Sequence, residues 1–191
     1  DMKGHNEALK KLEGLAIQET TITENLIKEF HQIILVDPYK EHPNVLAGEY
    51  KRTDNYLYNS QGERIDFLEK DKVPESLNNL INWTNNAISP PKRKKQKYDT
   101  HPLLIAAFFH MELINIHPFD DGNGRICRIF MNIILIQCGY PPIIIKKEDR
   151  ETYFNSIQKA REEGEEFLAL FLGKQLISSL ELKKSGKRRI Y

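Results

Sequence analysis

Residues 124–138 decide how this chain folds: Gly124-Arg125-Ile126-Cys127-Arg128-Ile129-Phe130-Met131-Asn132-Ile133-Ile134-Leu135-Ile136-Gln137-Cys138. Ile126, Ile129, Phe130, Ile133 and Ile134 form one apolar stripe at helical spacing, and Cys127, Met131, Leu135 and Cys138 cover much of the remaining surface. A helix that is apolar nearly all round belongs in the interior. Gly139 ends it, and Tyr140-Pro141-Pro142 forbids continuation. Its only polar line is Arg125, Arg128 and Asn132, spaced three and four apart and therefore on one face. Both arginines fall in the first turn or so, where the helix dipole is equivalent to about half a positive charge and the leading N–H groups lack partners. Two cations at that end of a buried helix are unfavourable unless an anion sits there.

The residues just before the helix supply the rest of such a site. Gly122-Asn123-Gly124 can adopt backbone angles closed to other residues, so several N–H groups can point into one concavity. A glycine-rich turn feeding a helix N-terminus is a phosphate cradle. A carboxylate beside an anion site, Asp121, makes sense if it holds a cation, and Mg²⁺ on phosphate oxygens is the usual one. His117 opens the loop and can accept a proton near neutral pH, while Phe119 would pin the loop into the core. Each feature has a plainer reading. A histidine at a helix end is often a hydrogen-bonded structural residue, Gly-Asn-Gly is often an ordinary turn, and two arginines can pair with Asp120 and Asp121. Together these readings need three coincidences, and an anion site needs none.

Outward from this segment, breakers cut the chain into helix-sized pieces. Helices are predicted over residues 4–16, 23–36, from Pro74 through Ile88, 102–116, 148–163 and 165–183, with Thr21 or Thr23 capping the second. From Gly48, the alternating, tyrosine-rich stretch Glu49 to Tyr58 meets Asn59-Ser60-Gln61-Gly62 and returns through Arg64-Ile65-Asp66-Phe67, which reads as a β-hairpin over about 48–67. Ile143-Ile144-Ile145 reads as a strand or a buried connector. The fold class is all-α with one small hairpin: a single domain over residues 1–182 followed by a basic tail, 183–191.

At 191 residues, with 40% hydrophobic and 29% charged residues, the chain can bury a core. Lysine and arginine (28) nearly balance aspartate and glutamate (27), for a net charge of +1, which argues against a protein that coats nucleic acid. The basic loop Lys92, Arg93, Lys94, Lys95 and Lys97 and the basic tail read as solvated surface, so nucleic acid is not an expected partner. No apolar run reaches the ~20 residues that span a bilayer, and Asp1-Met2-Lys3 opens no signal peptide, so no membrane association is expected. On one helix, Cys127 and Cys138 would lie ~16 Å apart, too far for a disulfide. A reducing, cytoplasmic location is the expectation.

The run His117-Pro118-Phe119-Asp120-Asp121-Gly122-Asn123-Gly124-Arg125-Ile126-Cys127-Arg128 resembles the signature of the Fic family, His-x-Phe-x-(Asp or Glu)-Gly-Asn-Gly-Arg-x-x-Arg, at all eight specified positions. With roughly one in twenty usage per position, a chance match is rarer than about one in 10⁷. Gly48-Glu49-Tyr50-Lys51-Arg52 resembles the start of the family's flap hairpin, and the likeness extends over about residues 3–180. The resemblance implies a Fic-type helical bundle with adenylyltransferase activity, moving AMP from ATP to a Ser, Thr or Tyr hydroxyl of a target protein. It implies His117 as general base and Asp121 as the holder of Mg²⁺. Gly122, Asn123 and Gly124 would form the anion hole, Asn123 also holding the α-phosphate, and Arg125 and Arg128 would neutralise the β- and γ-phosphates. An adenine pocket with Tyr153 and Phe154, a target lying along the flap hairpin, auto-modification and a homodimer are further implications. Arg161 and Glu162 stand where relatives often carry an Asn that holds the nucleotide.

Many Fic proteins carry an inhibitory helix, (Ser or Thr)-x-x-x-Glu-(Gly or Asn), whose glutamate pairs with the second motif arginine. Thr20 to Asn25 fits the pattern literally but falls at the start of the second predicted helix, whereas relatives of this layout carry the inhibitor before the helix matching 4–16. The expectation is that the inhibitor is missing by truncation or supplied by a partner, and that the protein is constitutively competent. Alternatives within the fold are UMP transfer, phosphoryl transfer and AMP removal. Outside it stands a nucleotide-sensing module without turnover, which would have no use for His117. His110 reads as structural.

Overall fold

In the computed structural model, which describes residues 21–35, 45–59, 61–89 and 100–184, six α-helices and one hairpin carry the described chain. The chain divides into two compact units, Asp1–Asn86 with Glu112–Ile129, and Ala87–Met111 with Phe130–Tyr191. The expected helix at 4–16, the basic loop and residues 185–191 of the tail lie outside the described residues.

In the first unit, α1 spans Glu24–Ile34. Thr23 caps it in extended conformation, its hydroxyl accepting from the Leu26 N–H at 3.1 Å. Glu24, in the first turn, pairs with Lys28 at 2.7 Å. Glu24, the glutamate of the literal inhibitory pattern, stands in the first turn of α1. Ile27, Phe30, His31 and Ile34 are buried on one stripe. Asn85 clamps the start of the described chain, accepting from the Ile22 N–H (3.0 Å) and donating to its carbonyl (2.8 Å). Asn85 belongs to α2, Val73–Ile88, whose buried Val73, Leu77, Leu80 and Ile81 repeat at helical spacing.

The hairpin is shorter than its sequence suggests. β1 is Tyr56–Tyr58 and β2 is Arg64–Asp66, antiparallel, with Leu57 opposite Ile65. Asn59 and Gly62 shape the turn: the Gly62 N–H reaches the Asn59 carbonyl, and the Asn59 side chain accepts from the Gln61 and Glu63 N–H groups. Residues 49–55 are not strand, because tertiary contacts claim them. The Lys51 N–H donates to the Pro118 carbonyl at 2.8 Å, and the Lys51 side chain, 4% exposed, turns inward.

In the second unit lies most of α3, Pro102–Ile116, whose Ile105, Ala106, Ala107 and Phe109 are fully buried. Most of α4, Asn123–Gln137, belongs here too, with Phe130, Met131, Ile134 and Leu135 buried. Gly139, at φ 84°, closes α4: its N–H bonds the Ile136 carbonyl and the Tyr140 N–H the Leu135 carbonyl. That paired pattern needs a left-handed residue, which glycine supplies. Ile143 lies in a buried connector, not a strand. The Asn132 side chain grips its backbone from both sides, at 2.7 and 2.9 Å. Helices α5, Arg150–Glu163, and α6, Glu166–Lys184, follow, broken at Gly164. Cys127 and Cys138 are unbridged thiols. Among the described residues, no helix is long and apolar enough to cross a membrane.

Candidate active site

The first unit holds a continuous loop and helix start in which eight of the ten expected site residues fall within residues 117–128. α3 ends at Ile116, and His117 turns the chain with φ 48°, an unusual angle for a non-glycine residue. The His117 imidazole stacks on Phe67 (centroids 3.6 Å, planes 17° apart), and its Nδ1 lies 3.2 Å from the Ile114 carbonyl. A carbonyl only accepts, so Nδ1 carries the proton and Nε2 the basic lone pair. Lys51 secures the same corner from below, its ammonium donating to the Asn55 side chain (2.9 Å), the Leu68 carbonyl (2.5 Å) and the Ile116 carbonyl (3.4 Å). Burial holds the Lys51 ammonium below its ordinary pKa.

Phe119 is fully buried, stacked on His31 (3.8 Å, 8°) and tilted against Tyr50 (6.2 Å). The Asn123 side chain accepts from the Phe119 N–H (3.0 Å) and donates to its carbonyl (2.8 Å), closing the loop on itself. Gly122, at φ 81°, precedes α4, and the Arg125 and Ile126 N–H groups both bond its carbonyl at 3.0 Å. The Asn123 and Gly124 N–H groups sit in the first turn, where a helix offers no carbonyl to its own donors.

The charges gather at this helix mouth. Asp121 Oδ1 accepts from the Gly122 N–H at 2.6 Å, and Oδ2 lies 3.3 Å from the Arg125 guanidinium. Arg125 also donates to the Ile34 carbonyl at 3.0 Å, a cation on the C-terminal end of α1. With side chains 32% and 49% exposed, the Arg125–Asp121 pair is worth at most about 1 kcal/mol, so phosphate and a cation can displace it. A Cβ on Gly124 would stand 3.5 Å from Arg128 Nη1, so the second guanidinium lies along the same first turn.

The sequence reading missed His31. This histidine is fully buried on α1, its Nδ1 accepting from the Gly48 N–H at 2.8 Å and its Nε2 bonding the Asp121 carbonyl at 2.9 Å. Burial, above all, pushes its pKa down to about 4. Its signal was a titratable side chain on the apolar stripe of α1. Phe67 and Lys51 were missed likewise, since their partners lie far along the chain.

Tyr153 and Phe154 belong to the second unit. Tyr153 is a core residue there, 2% exposed, its hydroxyl 2.6 Å from His110 Nε2 and its ring against Phe171. Phe154 is half exposed, with Arg150 over its ring.

A family model described as Fic/DOC matches residues 21–135. The chain belongs to the Fic/DOC family. Among curated relatives, it is 34% identical over 165 residues to "Protein adenylyltransferase Fic" of Aedes aegypti, covering 83% of this chain and 30% of that protein. Over 161 residues it is 34% identical to the protein of the same name from Nematostella vectensis, covering 84% of this chain and 34% of that one. The chain thus spans about a third of the length of these relatives. Among solved structures, a Fic-domain-containing signaling protein from Bacteroides thetaiotaomicron superposes with TM-score 0.84 at 30% identity, over 100% of this chain and 73% of that one. Fic-1 from C. elegans gives 0.74 at 25%, over 97% and 50%. The all-α architecture with a small hairpin is the Fic fold.

Proposed function

We propose that this Fic-family chain is a protein adenylyltransferase, moving AMP from ATP to a Ser, Thr or Tyr hydroxyl of a target protein and releasing pyrophosphate. What supports this reading is one contiguous loop and helix start that carries His117 just ahead of it and two arginines at its mouth, with Arg125 beside Asp121 and Arg128 Nη1 3.5 Å from where a Gly124 Cβ would stand. Relatives bearing that activity in their names share about a third of their residues with this chain over most of its length.

In this mechanism the target hydroxyl gives its proton to Nε2 of His117, whose Nδ1–H is held by Ile114. The hydroxyl oxygen bonds to the α-phosphorus as the bond to the β-bridging oxygen breaks, and that electron pair leaves with pyrophosphate. Transfer of this kind needs alignment and charge stabilisation more than covalent help. Arg125 and Arg128 take the β- and γ-phosphates, and the first-turn N–H groups take the α-phosphate. Asn123 contributes through its N–H, because its side chain is engaged with Phe119. Asp121 would hold Mg²⁺. A single half-exposed carboxylate fits an ion whose other ligands are phosphate oxygens and water, and the ion supplies charge neutralisation on the phosphates. Among the described residues β1 and β2 pair only with each other, leaving outer edges beside exposed Tyr56, Leu57 and Tyr58 along which an extended target segment can add.

Intact-mass measurement after incubation with Mg²⁺, ATP and a lysate tests the reading. AMP-sized additions on the chain or a target are expected, absent with His117→Ala although that variant still binds ATP. Phosphate-sized or UMP-sized additions, or AMP addition by His117→Ala, would overturn it.

A further inference from the structure

We infer that His31 is a positioning residue of the nucleotide site: its Nε2–H tautomer fixes the plane of the Asp121–Gly122 peptide, and through that plane the aim of the Gly122 N–H and the Asp121 carboxylate. This deepens the reading of the 117–128 loop as a phosphate site and rests on it.

The tautomer follows from partners that have no choice. The Gly48 N–H only donates, so Nδ1 accepts, and the ring proton sits on Nε2, which donates to the Asp121 carbonyl. A peptide unit is planar and trans, so its carbonyl and N–H point in opposite directions. Holding the Asp121 carbonyl against α1 therefore turns the Gly122 N–H away from it. That N–H in turn donates to Asp121 Oδ1, so the carboxylate that would face the metal is oriented by the same bond. The imidazole cannot drift, because it stacks on Phe119 and both ring nitrogens are engaged. Gly122 completes the fit: a Cβ there would meet His31 Cδ2 and Nε2 at 3.2 Å, so any other residue would press the ring away by a few tenths of an ångström. One buried side chain of α1 thereby holds both Gly48, in the segment that leads to the hairpin, and the Asp121–Gly122 turn of the phosphate loop.

Two variants separate the two bonds. In His31→Gln the side-chain nitrogen can take the place of Nε2 and donate to Asp121, whereas in His31→Asn the oxygen can take the place of Nδ1 and only the Gly48 bond is kept. ATP affinity by calorimetry on the full chain should fall about tenfold in His31→Asn, the upper worth of one net hydrogen bond, and stay within about threefold in His31→Gln. Side-chain ¹⁵N spectra of the wild-type chain should show Nε2 protonated and Nδ1 not. Amide spectra should show the Gly122 signal displaced in the Asn variant alone. Equal loss in both folded variants, no loss in either, or an Nδ1-protonated ring would overturn the inference. Should the wild-type chain bind no ATP, the phosphate-site reading fails, while the tautomer and the Gly122 signal still decide the role of His31 in loop geometry.

Discussion

Gly122→Ala offers a way to measure how tightly the loop before α4 is fitted, because the chain provides its own control. Gly122 and Gly62 have nearly the same backbone angle, φ 81° and 80°, and differ in surroundings. Around Gly62 a new Cβ meets nothing within 4 Å, whereas at Gly122 it meets the His31 ring at 3.2 Å and Ile34 at 3.4 Å. The left-handed angle costs an L-residue about 1–2 kcal/mol in both variants, partly offset by reduced freedom of the unfolded chain. What remains is the contact. The ring is stacked at 3.8 Å and bonded at 2.8 and 2.9 Å, so yielding a few tenths of an ångström strains one of those contacts. Overpacking a filled site costs about 1–3 kcal/mol. Urea denaturation should therefore show Gly62→Ala destabilised by about 1 kcal/mol and Gly122→Ala by about 2–4 kcal/mol. Equal losses would refute the claim that His31 and the loop are in close contact.

The remaining predictions concern the same corner. The His31 pKa lies at about 4 when folded and near 6.5 when unfolded, so only the unfolded chain binds this proton between those values. Stability from this group is thus fully present above about pH 6.5 and is lost as pH falls toward 4, with about 2 kcal/mol gone between pH 7 and pH 5. Urea midpoints should show that slope flattened in His31→Gln, and an unchanged slope would assign the acid sensitivity elsewhere. Lys51→Met leaves the Leu68 and Ile116 carbonyls without the buried ammonium, which should destabilise the chain by at least about 2 kcal/mol in the same assay. A change below about 0.5 kcal/mol would mean that water replaces the ammonium there.

Local rules made most of the fold legible. Pro102 and the closing Gly139-Tyr140-Pro141 fix helix limits through interactions within a turn or two, and α3 falls on its predicted residues, 102–116. The hairpin reads too long in the sequence because Lys51 and Asn55 look like strand residues but answer to partners at Leu68, Ile116 and Phe119. The site divides in the same way. Residues 117–128 are contiguous, so their chemistry is visible as a pattern. His31 bonds residues 17 and 90 positions away, and nothing nearby announces either. Asn132 shows that residues on one polar line can do different things. Arg125 and Arg128 lie at the mouth of α4, while Asn132 holds the connector at Ile143.

Nucleotide affinity measured against phosphate number tests the central claim most directly. If a triphosphate lies between Arg125 and Arg128 at the start of α4, ATP should bind the wild-type chain at least about tenfold more tightly than AMP, and Arg128→Met should erase most of that difference while leaving AMP affinity unchanged. Equal affinity for ATP and AMP, or an ATP preference that survives in Arg128→Met, would contradict the account.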